Sequence, residues 1–176
     1  MDNMQPNTGK IALKYGLILG AIGIIFNLML YSQNLHYQVD LQRIFITVII
    51  GLVLVVLGSI FAMKEFKKGN NGLMSISQGL KLGVGLSLIS GIIGVIFGFV
   101  MSEVIDPDLQ EKAINFAVSS MREAGMSEDQ IAERMKGQKD PNIPVQIGGY
   151  MIFSIVLGFL GSIIPALALK KQEDTF

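Results

Sequence analysis

The sequence predicts an all-α, polytopic membrane protein: a bundle of four transmembrane helices with a short extracytoplasmic helical hairpin between spans 3 and 4. Three observations predict it: four apolar runs of about the right length, interiors free of ionised side chains, and 20 glycines that recur at helical spacings. A hydrocarbon layer of about 30 Å and a rise of 1.5 Å per residue require about 20 residues per helix. The runs 11–31, 44–63, 82–102 and 145–169 meet that length. The 176 residues are 51% hydrophobic with a mean hydropathy of +0.53, as expected of a single membrane domain over 1–176.

Span one follows Lys10 and Lys14, with Tyr15 at one end and Tyr31 at the other, as amphipathic rings at the two membrane interfaces would stand. Basic residues before an apolar run, with Ala21 and Gly23 at small-x-small spacing, also fit a secretory signal. The run continues to Tyr31, longer than a signal core of 7–15 residues, so an uncleaved span is expected. Ala12, Gly16, Gly20, Gly23 and Asn27 keep to one helical face. Asn27, the one amide well inside a span, is expected to make an interhelical hydrogen bond rather than to hold a ligand.

Span two carries a sparser stripe, Gly51, Gly58 and Ala62. Span three has the longest, Gly79, Gly83, Ser87, Ser90, Gly94, Gly98 and Ser102, and span four repeats it in Ser154, Gly158, Ser162 and Ala166. In lipid, helices associate through close backbone approach, so these stripes are expected to face protein, with Gly94 against the 154–166 stripe; a substrate path lined by small residues is the alternative. Pro165, the one proline inside a span, is expected to be structural rather than a gate. Leu13-Lys14-x-Gly16 is echoed by Leu80-Lys81-x-Gly83, and Leu57-Gly58-Ser59-Ile60 by Leu160-Gly161-Ser162-Ile163, a pattern compatible with a duplicated two-helix unit.

The polar stretch 106–137 is long enough to need structure of its own. Asp106-Pro107 reads as an N-cap followed by proline at the first helical position, with Gly125 as the stop. Ser127 and Gln130 have capping-box spacing, and Ile131 and Met135 give a second short helix one apolar edge before Asp140-Pro141 and Pro144 end it. Phe116 and Met121 are the expected anchors of the pair, because helices this short must gain stability by docking.

Lysine density sets the orientation. Lys10, Lys14, Lys64, Lys67, Lys68, Lys81, Lys170 and Lys171 collect on the side of the termini and the 64–81 loop against Asp2, Glu65, Glu173 and Asp174. The other side holds Arg43, Lys112, Arg122, Arg134, Lys136 and Lys139 among an excess of acids, so both termini are expected to be cytoplasmic.

Ala12-Leu13-Lys14-Tyr15-Gly16, Ser75 through Gly83, Asp106-Pro107-Asp108 and Gly125 through Ile131, in that order and spacing over nearly the whole chain, resemble the bacterial four-span membrane proteins catalogued as domain of unknown function 4199. That resemblance implies a bacterial inner-membrane protein with a helical insert before its last span, and it brings no catalytic residues.

Function is constrained mainly by what the chain lacks. Without cysteine there is no disulfide, thiolate metal site or cysteine nucleophile, and His36 alone cannot build a multi-histidine cluster. No acid pairs with His36 by spacing, and no G-x-S-x-G, H-E-x-x-H or phosphate-binding loop occurs. The acids Asp106, Asp108, Glu111, Glu128, Asp129 and Glu133 are read as caps and solvated faces rather than cation ligands. No catalytic residue, cofactor or metal is therefore expected, nor a nucleic-acid partner. The leading expectation is a non-enzymatic assembly or accessory protein that contacts the lipid bilayer and engages a protein partner, or a second copy, through its small-residue faces and outer segment. A small transporter or oligomeric pore for an uncharged or lipid-like solute is the alternative, since no charge lies near the midplane.

Overall fold

The structure, a computed structural model, describes residues 6–136 and 142–171. The roles given to Asp140 and Pro141 and the charges of Asp2, Lys139, Glu173 and Asp174 lie outside the described residues. Four long apolar helices are candidate membrane spans: α1 (Thr8–Ser32), α2 (Leu41–Gly69), α3 (Ile76–Val100, prolonged by a π-helical turn Met101–Ile105) and α6 (Ile143–Leu169). Between α3 and α6 stand the short α4 (Leu109–Glu123) and α5 (Glu128–Met135).

Polar caps extend the spans beyond the apolar runs. The Asn7 side chain accepts from the Lys10 N–H, Asp40 from Arg43, and Asn142 from Val145, each satisfying an N–H that has no intrahelical partner. Ser75 and Gln78 form a complete capping box at the start of α3. Because α2 runs on to Gly69, the connection expected over 64–81 is a short turn near 70–75, where Asn71 and Gly72 take positive φ.

Helix α3 is the hub. It runs antiparallel to α6, and the two small-residue stripes interlock as the sequence predicts: a Cβ added at Gly79 would lie 2.8 Å from that of Ala166, one at Gly158 2.7 Å from that of Ser87, and one at Gly91 2.6 Å from the Ser154 hydroxyl. Gly83 meets Ser162 more closely still. At this separation the Ser154 hydroxyl donates across the interface to the Ser87 carbonyl at 2.6 Å. Against α1 the fit is different, small against branched: Gly16 lies under Ile89 and Gly20 under Ile93. Helix α2 packs on α1, α3 and α6, with Leu19 over Gly58, Val55 over Gly161, and Met63 and Phe66 fully buried.

Packing is densest in one half of the bundle. Within the four long helices the buried residues run from Ile11 to Gly20, Val55 to Phe66, Gly79 to Gly91 and Ser154 to Ala166, all in the half nearer the termini. Toward the hairpin end a Cβ at Gly23, Gly98, Gly148 or Gly149 would meet nothing within 4 Å. The expectation that the stripes face protein along their whole length is thereby corrected: helices that cross at an angle stay close over only a few turns, and small residues permit close approach without compelling it. Gly94 lies at the edge of the contact, opposite the Tyr150 hydroxyl at 2.7 Å rather than the 154–166 stripe. Asn27 is exposed, and its amide donates to the Gly23 carbonyl of its own helix at 3.0 Å, not across an interface. Pro165 is buried within an uninterrupted α6.

Polar ties close the terminal end. Glu65 accepts from Lys14 at 2.6 Å and from the Tyr15 hydroxyl at 2.8 Å, joining α2 to α1. Lys67 donates to the Leu169 carbonyl at 2.8 Å, a cation at the C-terminal end of α6, and Met74 and Lys171 exchange backbone hydrogen bonds at 2.8 and 3.0 Å.

Candidate functional site

At the hairpin end two chain reversals bring distant residues together. Helix α1 stops at Ser32, Asn34 takes a φ of +53°, and the Leu35 N–H returns to the Leu30 carbonyl at 2.9 Å, so the chain folds back over the helix end. Helix α3 ends in its π-helical turn, closed by the Asp106 N–H on the Met101 carbonyl at 2.8 Å. These reversals set His36 Nε2 2.7 Å from one carboxylate oxygen of Asp106, and Lys112 Nζ lies 2.6 Å from the other.

The expected role of Asp106 as the N-cap of the outer helix is overturned. Helix α4 begins at Leu109, Pro107 lies in the preceding turn, and the Asp106 side chain is taken by His36 and Lys112, because a charge-assisted bond outcompetes a cap. Asp106 is also the acid that spacing denied His36; it comes from 70 residues further along the chain. The His36 and Asp106 side chains are only 4% and 5% exposed. Lys112, and secondarily His36, hold the Asp106 carboxyl below the usual aspartate range, and the carboxylate raises the Lys112 ammonium in return. An ionised carboxylate can only accept, so Nε2 carries the proton and donates; the buried Nδ1 has no hydrogen-bond partner.

Aromatic edges carry this knot outward to the hairpin. The Tyr31 and Tyr37 rings stand edge-on to His36 at 4.9 and 5.2 Å, and Tyr37 meets Phe116 of α4 at 6.4 Å. Phe116 and Met121, the expected anchors, are only half-buried, whereas Ile131 and Met135 of α5 are 4% exposed. The Ser127–Gln130 capping box forms, Gly125 terminates α4 at φ +80°, and Arg122 braces the turn on Glu128 at 2.8 and 3.2 Å. Glu133 pairs with Lys136 at 3.6 Å, while Asp108, Glu111 and Asp129 are exposed; among the described residues no three His, Asp or Glu side chains converge to hold a metal ion.

Beneath the knot lies a cleft of about 370 Å³. Its floor is α3, from Ser90 through Gly94 and Gly98 to Met101. Gly23 and Asn27 of α1 form one wall, Tyr150 of α6 stands opposite, and His36 and Leu109 close the top. The space lies where α1 and α6 both pack on α3 while their own backbones stay apart. A second crevice of about 240 Å³ between α3 and α6 shares Val95, Gly98 and Tyr150 with the first and reaches Gln146. The imidazole that lines this space has one nitrogen fixed by Asp106 and the other buried without a partner.

No curated protein and no solved structure matches the chain. The model of the family described as protein of unknown function (DUF4199) matches residues 14–171, from the foot of α1 to the lysine that follows α6, and the chain belongs to that family.

Proposed function

We propose that this multi-span protein is a non-enzymatic assembly or accessory subunit of a bacterial cytoplasmic membrane, with both termini cytoplasmic and the α4–α5 hairpin outside as its partner-binding element. The observation that carries the reading is how the hairpin is mounted. Among the described residues the backbones of α4 and α5 come close to each other and that of α4 to the π-helical turn, but neither comes close to the backbones of the four long helices, and no residue of α4 is buried. Its amphipathic face around Ala113, Phe116 and Ala117 thus stays half-open, held at a fixed height by the Tyr37–Phe116 contact and the Asp106 knot. The lysines near the termini support the orientation.

The chain has no cysteine, so single substitutions report topology against no background. An impermeant maleimide should label Ser119→Cys in intact cells and Asn71→Cys only after permeabilisation; the reverse would invert the orientation. A partner of fixed stoichiometry should co-purify with the full chain in mild detergent and be lost when 108–137 is replaced by a short linker. A partner retained after that deletion would move the interaction to the spans.

One observation favours a second reading, a carrier for an uncharged or lipid-like solute. The bundle is closed in its terminal half and open in its hairpin half, the shape of a site accessible from one side. No partner at any stoichiometry would turn the balance to that reading.

A further inference from the structure

We infer that the cleft under His36 is a binding site for a membrane lipid with an uncharged, hydroxyl-bearing head of the diacylglycerol class, taken up sideways from the leaflet. This goes beyond the accessory role and does not depend on it.

Geometry argues for a lipid. The cleft lies between the hairpin-end halves of spans, its floor and walls are largely glycine and apolar side chains, and it is flanked by two helices whose backbones stay apart. Helix α2 packs against α1, α3 and α6, but α1 and α6 leave the cleft between them unfilled. A ligand entering there passes from hydrocarbon into a groove floored by Gly94 and Gly98, where missing side chains leave room for its body. The volume of about 370 Å³ suits a head and the first part of its chains, and the adjoining crevice along α3 and α6 offers a track for the remainder.

Chemistry at the closed end selects the head. With Nε2–H committed to Asp106, the second ring nitrogen, Nδ1, is buried and unsatisfied, and a buried polar atom without a partner is costly. A hydroxyl, which both donates and accepts, can pair with that nitrogen whether or not it carries a proton. Asn27, Ser90 and the Tyr150 hydroxyl, the other polar side chains lining the cleft, all donate and accept, so they suit a hydroxyl or an ester carbonyl. Charge then narrows the choice. The lysine at the knot, Lys112, is already bound to Asp106, and Glu103, Asp108 and Glu111 stand exposed nearby, so a phosphate head would meet net repulsion. A glycerol hydroxyl supplies a donor and an acceptor without the charge.

The test uses the full chain in mild detergent and a diacylglycerol carrying a diazirine in one acyl chain, with the adduct mapped by peptide mass spectrometry. Labelling is expected on α1 near Asn27, on α3 between Ser90 and Met101, or at Tyr150. Unlabelled dioleoylglycerol should compete at least tenfold better than dioleoyl-phosphatidylglycerol or dioleoyl-phosphatidylethanolamine. Gly98→Leu fills the groove where an added Cβ meets nothing, so it should abolish labelling without lowering the unfolding temperature. His36→Phe should reduce labelling several-fold while keeping an aromatic ring between Tyr31 and Tyr37. Labelling that survives Gly98→Leu, adducts scattered over the outer faces of the spans, or equal competition by either phospholipid would overturn the assignment. None of these outcomes alters the partner test above, so the two readings fail separately.

Discussion

Replacing Gly83 with alanine is the sharpest probe of how the spans are held together. The added methyl would collide with the Ser162 Cβ, with the Ser162 hydroxyl at 2.5 Å and the Gly158 carbonyl at 3.1 Å behind it, so no side-chain rotation relieves the clash. Carbon contacts settle near 3.5–4.0 Å, and α3 and α6 must therefore part by about 1.5 Å at this level. A gap of about 0.5–1 Å already forfeits about a quarter to a half of each dispersion contact, and the loss spreads to the Gly79–Ala166 and Ser87–Gly158 levels on either side. Overpacking of this kind costs about 1–3 kcal/mol. Alanine also gains up to about 1 kcal/mol over glycine in helix propensity, which would mask part of the loss. Gly98→Ala provides the reference, since it takes the same propensity gain on the same helix with nothing within 4 Å. The two variants should differ by about 1–3 kcal/mol in unfolding free energy, read from circular dichroism during titration of mixed micelles with a denaturing detergent. Gly83→Ala as stable as Gly98→Ala would refute the interlocked α3–α6 seam.

Other perturbations follow from single contacts. Ser154→Ala removes the donor to the Ser87 carbonyl and should cost about 0.5–1.5 kcal/mol in the same titration, at the low end if the membrane value holds. Ile131→Ala should make the hairpin sensitive to protease between α4 and α5 while leaving the unfolding midpoint of the spans unchanged, because Ile131 is buried in a segment whose backbone stands apart from theirs. Asp106 is depressed in the folded protein, so its contribution is present above the usual aspartate range and is lost as pH falls through its lower folded value. Lys112 is raised, so its share is present below the usual lysine range and is lost only as pH climbs past it. The near-ultraviolet signal of Tyr31 and Tyr37 should therefore collapse in acid below the aspartate range. Lys112→Met should shift that collapse upward in pH.

Much of the bundle was legible because lipid imposes simple rules. Length and the absence of charge marked four spans, the antiparallel match of Gly79–Gly91 with Ser154–Ala166 followed from small residues at helical spacing, and the Ser127–Gln130 box named its own helix start. The limits were equally physical. Gly94 and Gly98 continue the motif of Gly79 and Gly83, yet the helices have diverged by then, and a crossing angle leaves no trace in residue spacing. Asn27 found an acceptor one turn back in its own helix, a local bond that competes with any interhelical one. The His36–Asp106 pair joins residues 70 apart, so local spacing could not reveal it. The available clue was topological: the loop after span one and the end of span three lie on the same side of the membrane, where the lone histidine and the first acids after the third span must share a small area.

The central claim is that α1 and α3 are clamped near the termini and parted near the hairpin, and paired cysteines on the same two helices test it directly. Ala12→Cys with Gly85→Cys places the new side chains where a Gly85 Cβ would lie 3.0 Å from that of Ala12, close to disulfide geometry after a small adjustment. Gly23→Cys with Gly98→Cys places them across the cleft, where neither Cβ has a neighbour within 4 Å. Under mild oxidation in native membranes the first pair should form its disulfide rapidly and the second should stay reduced. Equal cross-linking of both pairs would contradict the account, since it would mean that the bundle is closed along its full length and that no cleft lies beneath His36.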